Sequence, residues 1–137
     1  MALRHAEGPK GWIQPEARSG VAAFAAWADY LESGEALLLH HDWNLQVWLD
    51  CRETAAAFLA EAKSRLGKAE QQFDAAMEQY RVVADRLREA RGVVPRTETT
   101  WAERLKFTSA EAAQLIRRAG EAEVQALHCL QRIVEAM

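Results

Sequence analysis

The chain has 137 residues, half of them hydrophobic and 27% charged, with 17 Lys and Arg against 20 Asp and Glu for a formal charge of −3. That length suits one globular domain and buries a core without help from disulfides or metal. The interleaved charges exclude the basic face that a nucleic-acid binder needs, and no run approaches the roughly 20 apolar residues of a membrane span.

In chain order, residues 1–15 are expected to be irregular, because Gly8, Pro9, Gly11 and Pro15 interrupt any helix. Trp12 and Ile13 are apolar, so this segment is expected to dock on residues 16–137, a single helical bundle domain. Arg4, His5, Glu7 and Lys10 leave it without the apolar core of a signal peptide. The two cysteines, Cys51 and Cys129, form no CxxC pair, and a reducing cytoplasm is the expected compartment.

The first helix is expected over 16–33, with Val21, Phe24, Trp27, Ala28 and Leu31 at three- and four-residue spacing. Pro15 suits its entry and Gly34 its exit. Leu37, Leu38 and Leu39 fit either an early turn of the next helix or an apolar connection, and Asp42 is the expected N-cap. The second helix is expected over 43–66, with the stripe Trp48, Cys51, Ala55, Phe58, Ala62 and Leu66 ending at Gly67. The third is expected over 68–91, where Phe73, Met77, Tyr80, Ala84 and Leu87 share a face and Gly92 and Pro95 follow. Residues 96–107 are a linker carrying Trp101, Leu105 and Phe107.

The fourth helix is expected over 108–136, opened by a capping box of Thr108 and Glu111. Its stripe, Leu115, Ala119, Ala122, Ala126, Cys129 and Ile133, is widened by Ile116, Leu127, Leu130, Val134 and Met137. No alternating strand pattern is present. The fold class is therefore all-α, a mainly antiparallel four-helix bundle of helices similar in length. Phe24, Trp27, Trp48, Phe58, Phe73, Tyr80, Leu87, Leu115 and Ile133 are expected to be buried.

Four features bear on chemistry. His40, His41 and Asp42 have the donor types of a transition-metal site, but HExxH and Glu-x-x-His spacings are absent. The alternative is a polar helix entry with both histidines partly exposed, and folding is expected to require no metal or other cofactor. His128 and Cys129 are sequential on a helix, so their side chains diverge by about 100°. Both cysteines fall on apolar stripes and are expected to be reduced, buried and inert. No catalytic constellation is legible. Of five tryptophans, Trp27 and Trp48 lie on stripes, whereas Trp12, Trp43 and Trp101 lie in or beside non-helical segments. These three either cover a bundle end or form a contact surface, where tryptophan is enriched. Asn44 fits an inward polar contact or ordinary helix-start bonding.

The segments 20–31 (GVAAFAAWADYL), 43–48 (WNLQVW), 52–59 (RETAAAFL) and 80–84 (YRVVA), with the alanine- and glutamate-rich last helix, resemble a bacterial family. It is the helical C-terminal region of proteins related to the butirosin-biosynthesis protein H, whose N-terminal part is a papain-like, C39-type cysteine peptidase or acyltransferase domain. The resemblance covers about residues 18–137. That catalytic domain has no counterpart here, so the resemblance implies an accessory bundle without activity, and a separately encoded or lost catalytic partner.

The leading expectation is a non-enzymatic accessory or protein-interaction module. It binds a protein partner or self-associates as a two-fold dimer, with Trp101, Leu105 and the surplus apolar surface of the fourth helix as contacts. The alternative is a small-ligand or metal-binding bundle, its site formed by His40, His41, Trp43 and Asn44. A ligand site requires convergent inward polar groups.

Overall fold

The computed structural model describes residues 18–94 and 105–137. Their helices are α1 (Ala22–Glu32), α2 (Leu38–Leu66), α3 (Glu70–Gly92) and α4 (Ala110–Glu135). The packed pairs are α3 with α4, α2 with α3, and α1 with α4. Leu87 and Ala90, late in α3, share a core cluster with Ala112 and Ala113, early in α4. Phe73, early in α3, shares another with Ile133, late in α4. Neighbouring helices therefore run antiparallel, and the all-α bundle is as expected.

The helices are not similar in length. α1 has 11 residues and α2 has 29, about 16 Å against 43 Å at the α-helical rise. The expected start of α1 at residue 16 is corrected among the described residues, because 18–21 are not helical. Gly20 has φ 59°, a left-handed conformation that other residues adopt at a cost. It turns the chain just before the first helical turn. Gly120, in the middle of α4, solves a second steric problem. A Cβ there would lie 2.8 Å from Cβ of Phe24, so its lack of a side chain lets α1 and α4 approach. Arg117 then ties the two helices from outside, donating to Asp29 at 2.8 Å and to Glu32 at 2.8 and 3.0 Å. Those hydrogen bonds hold the Glu32 carboxyl below the usual carboxylate range.

Three boundaries also differ from expectation. α2 begins at Leu38, so Asp42 lies inside the helix and caps nothing; Leu37, in extended geometry, precedes the first turn without a side-chain cap. The cap of α4 is Ser109, whose hydroxyl accepts from the Ala112 amide at 3.1 Å, one residue later than the expected box of Thr108 and Glu111. Strands were not expected, yet Ala36–Leu37 (β1) and Lys106–Phe107 (β2) pair antiparallel, Ala36 opposite Phe107. The pairing continues as Leu38 N donates to the Leu105 carbonyl and Ser109 N to the Leu31 carbonyl. This clamp closes the bundle end where α2 and α4 begin.

The core has two parts. The larger is built from Phe24, Trp27, Ala28 and Leu31 of α1, Leu38 and Leu45 of α2, and the facing residues of α3 and α4. The smaller is built from Leu59, Phe73, Ala76, Met77, Tyr80, Ala126, Cys129 and Ile133, with no residue from α1. Trp48 and Leu115 are only half-buried, and Phe58, expected in the core, is 67% exposed. Cys51, also expected in the core, is exposed. The helix is turned by about one residue from the expected stripe. Its buried line is Leu38, His41, Leu45 and Leu59, with Arg52 between them.

Candidate functional site

Two apolar stripes run along α2, and one of them lacks a complete partner. Leu39, Trp43, Val47, Phe58 and Leu66 are exposed, at 43%, 69%, 44%, 67% and 45%. Leu39, Trp43 and Val47 recur at four-residue spacing and share one flank, while Phe58 and Leu66 lie further round the helix. Exposed large side chains in a row carry more meaning than single ones scattered over a surface.

At the start of α2 this flank meets α1. Tyr30, Leu39, His40, Trp43 and Asn44 line a cavity of about 620 Å³. The Tyr30 hydroxyl accepts a hydrogen bond from the Leu37 amide at 2.9 Å. A second cavity, about 440 Å³, shares Tyr30 and Asn44 and extends to Trp27, Trp48 and Gly20. A third, about 450 Å³, is lined by Asp50, Cys51, Thr54, Ala55 and Phe58. The first two adjoin where α1 meets α2, and the third lies further along α2.

The expected site residues separate. His40, Trp43 and Asn44 are brought together at the first cavity, with Asn44 half-buried. His41 is not among them. It was expected to be partly exposed and is fully buried, because it falls on the inward line with Leu38 and Leu45. Its Nδ1 accepts from Trp27 Nε1 at 3.1 Å, and its ring meets Trp27 and Phe107 at centroid distances of 5.6 and 5.5 Å. That bond assigns the proton of the neutral ring to Nε2, which makes no hydrogen bond of normal geometry beside the Ala90 carbonyl. Burial lowers the His41 pKa to about 4, against a smaller opposing effect of Asp42. Leu105 is exposed and lends its carbonyl to Leu38. Trp101 lies outside the described residues, as do Trp12 and the expected irregular segment 1–15.

The polar group that sequence reasoning missed lies between the two core clusters. Arg52 of α2 donates through Nε and Nη2 to both carboxylate oxygens of Glu123 of α4, each at 2.7 Å. Glu123 is buried, at 4% exposure. The guanidinium also lies over the rings of Trp48 and Tyr80, 4.5 and 5.7 Å from their centroids. Such paired, stacked geometry suits arginine more than lysine. Burial, reinforced by the Glu123 carboxylate, pushes the Tyr80 hydroxyl up to about 12. The pair satisfies itself, so its chemistry is structural: it joins α2 to α4, which otherwise pack through α3. The signal was present in the sequence, because Arg52 and Glu123 each interrupt an apolar line at core spacing.

Cys51 and Cys129 are both free thiols, the first exposed and the second buried. Among the described residues no group of three His, Cys, Asp or Glu side chains is placed to hold a metal ion, and no helix is long and apolar enough to cross a membrane. What the first cavity offers chemically is apolar area with a few polar residues, His40, Asn44 and Tyr30. Comparison with protein-family models, with curated proteins and with solved structures finds no match.

Proposed function

We propose that the protein is a non-enzymatic helical interaction module, and that it contacts a protein partner through the outer flank of α2 around Trp43. The observation that carries this reading is Trp43 itself, a tryptophan 69% exposed beside exposed Leu39 and Val47. Large aromatic side chains of this kind anchor interfaces when a partner desolvates them. A flank with apolar residues one turn apart fits an amphipathic helix, whose anchors recur at the same spacing. That helix comes from another protein or from a second copy in a two-fold dimer. The resemblance to the butirosin-protein-H-like helical region favours one class of partner, a separately encoded papain-like catalytic domain. Bacterial origin and a cytoplasmic setting follow from the same reading. Interleaved ion pairs, such as Lys63 with Asp74 and Arg88 with Glu53 and Asp85, favour a protein partner over nucleic acid.

The test is capture from the native cell with the wild-type chain, Trp43→Ser and an exposed control, Arg81→Ala. A genuine partner, or a dimer seen by sedimentation at tens of micromolar, is lost with Trp43→Ser and kept with the control. Equal retention by both variants rejects this surface. A second reading, a small apolar ligand, is favoured by one observation, the cavity of about 620 Å³ between Tyr30 and Trp43, a volume within the usual range for small-molecule sites. Native mass spectrometry of protein from its own cell separates the two, since a ligand adds a defined small mass to the monomer.

A further inference from the structure

His41 joins four elements at one buried point. It belongs to α2 and is fully buried, and its ring meets Trp27 of α1, Phe107 of β2 and, at Nε2, the backbone of α3 at Ala90. The contact with Trp27 has a fixed polarity. An indole N–H only donates, so Nδ1 accepts at 3.1 Å and carries no proton. A proton on Nδ1 would set two N–H groups head to head, with no acceptor for either. A buried charge or donor without a partner is costly, and Nε2 makes no hydrogen bond of normal geometry to offset it. The charged ring does not fit where the neutral one sits. The clamp beside it is slight: β1 and β2 have two residues each. Its closure adds Leu38 N to the Leu105 carbonyl at 3.0 Å and Ser109 N to the Leu31 carbonyl at 3.1 Å. The smaller core cluster, around Phe73, Tyr80 and Cys129, contains neither His41 nor the residues its ring meets.

We infer that His41 is an acid-operated latch: a proton on Nδ1 breaks the bond from Trp27, displaces the ring from Phe107 and frees the β1–β2 clamp, while the smaller core cluster stays packed. The surroundings of the ring give the proton little help. Among the described residues the charge that favours it is Asp42, exposed on the same helix, and its effect is smaller than that of burial. On α1, Asp29 and Glu32 are engaged by Arg117. On the strands and the turn before them, Glu35 and Lys106 pair with each other. On α3, Arg86 pairs with Glu89 and Arg91 donates to Gln46, and on α4 Glu111 is exposed. The Tyr30 hydroxyl is held by the Leu37 amide. The closed ring accordingly titrates at about 4, and an open one returns toward about 6.5. The open form therefore gains as pH falls below about 6.5, by about twentyfold between pH 7 and pH 5. The latch concerns the clamp and does not rest on the reading of the Trp43 surface.

Amide hydrogen exchange, read residue by residue by NMR on the full chain, tests this at pH 7 and pH 5, with each rate divided by the intrinsic rate at that pH. The Leu38 and Ser109 amides are expected to be less protected than the α3 amides around Tyr80 at both pH values, because the clamp opens locally. Their protection is expected to fall about twentyfold at pH 5 in the wild type and less than about twofold in His41→Phe. Trp27→Phe keeps the histidine and removes the opposing donor. It is expected to reduce the fall too, and it serves where His41→Phe does not fold. Equal protection of the clamp and the α3 amides overturns the latch, since release is then unfolding of the whole bundle. A fall in either variant as large as that of the wild type also overturns it, since the proton then acts elsewhere or without the Trp27 bond.

Discussion

The two halves of this bundle use the same helices and differ by one partner. In the upper half, α1 closes a four-helix core in which Phe24, Leu31, Leu38, Leu45, Leu87 and Ile116 are at most 2% exposed. Among the described residues the lower half is built from α2, α3 and α4 alone, and α2 contributes only Leu59 to its buried set. Two residues of α2 show the consequence side by side. Trp48 is half-buried against Phe24, while Phe58, ten residues later, is 67% exposed. Periodicity therefore states which face of a helix is apolar. Whether that face is core or surface depends on how far the neighbour extends, and here α1 begins only at Ala22, after the turn at Gly20.

The ion pair at the boundary provides the largest test of this division. Glu123→Ala leaves the Arg52 guanidinium without its partner between the clusters, and breaking such a pair costs about 3 kcal/mol or more. Urea unfolding checks this. Replacing both partners, Arg52→Met with Glu123→Leu, should restore most of the loss, because an apolar pair needs no compensation. A double variant as unstable as the single one would mean that the pair does more than hold α2 against α4.

A pH titration separates the halves, since the buried histidine belongs to the upper one. The pKa of His41 is about 4 in the folded protein and about 6.5 in an unfolded chain. As pH falls the unfolded state takes the proton first, so the stability is complete above pH ~6.5 and is lost progressively toward pH ~4. The full loss is about 3 kcal/mol. Unfolding midpoints at pH 7, 5.5 and 4.5 should fall in the wild type and fall less in His41→Phe. Equal slopes in the two proteins would show that His41 is not held neutral.

The junction of α1 with α4 provides a smaller effect. Gly120→Ala places a methyl group 2.8 Å from the Phe24 Cβ, and overpacking of this kind costs about 1–3 kcal/mol. This outweighs the gain of up to about 1 kcal/mol that alanine brings over glycine in a helix. Gln125→Ala, at an exposed position of the same helix, should change the stability by less than about 0.5 kcal/mol. A stabilising Gly120→Ala would imply a looser upper half than described.

Much of the fold was legible because the signals were local and redundant. Gly67 ends α2 with φ 60°, and the stripe of α3 from Phe73 to Leu87 is buried as its spacing requires. The errors came from competition between near-equal signals. Thr108 and Ser109 both offer a hydroxyl, and backbone geometry selects Ser109. α2 carries two apolar lines about 100° apart, and the one free of polar residues looked like the core. The buried line contains His41 and Arg52, which are tolerable inside only because Trp27 and Glu123 meet them from distant positions in the chain. A two-residue strand such as Ala36–Leu37 has no period to detect. Of the candidate site, Trp43, His40 and Asn44 were legible as a group at a helix start; their cavity was not, because Tyr30 completes it from another helix.

The central claim is that α2 presents one line that holds the fold and another that is surface. Leu45 and Trp43 test it on the same turn, at 1% and 69% exposure. The measurement is the unfolding free energy of Leu45→Ala and of Trp43→Ser against the wild type. The account predicts a loss of about 2–5 kcal/mol for Leu45→Ala and a change within about 0.5 kcal/mol for Trp43→Ser. A loss for Trp43→Ser as large as that for Leu45→Ala would contradict it, and would place Trp43 in the core.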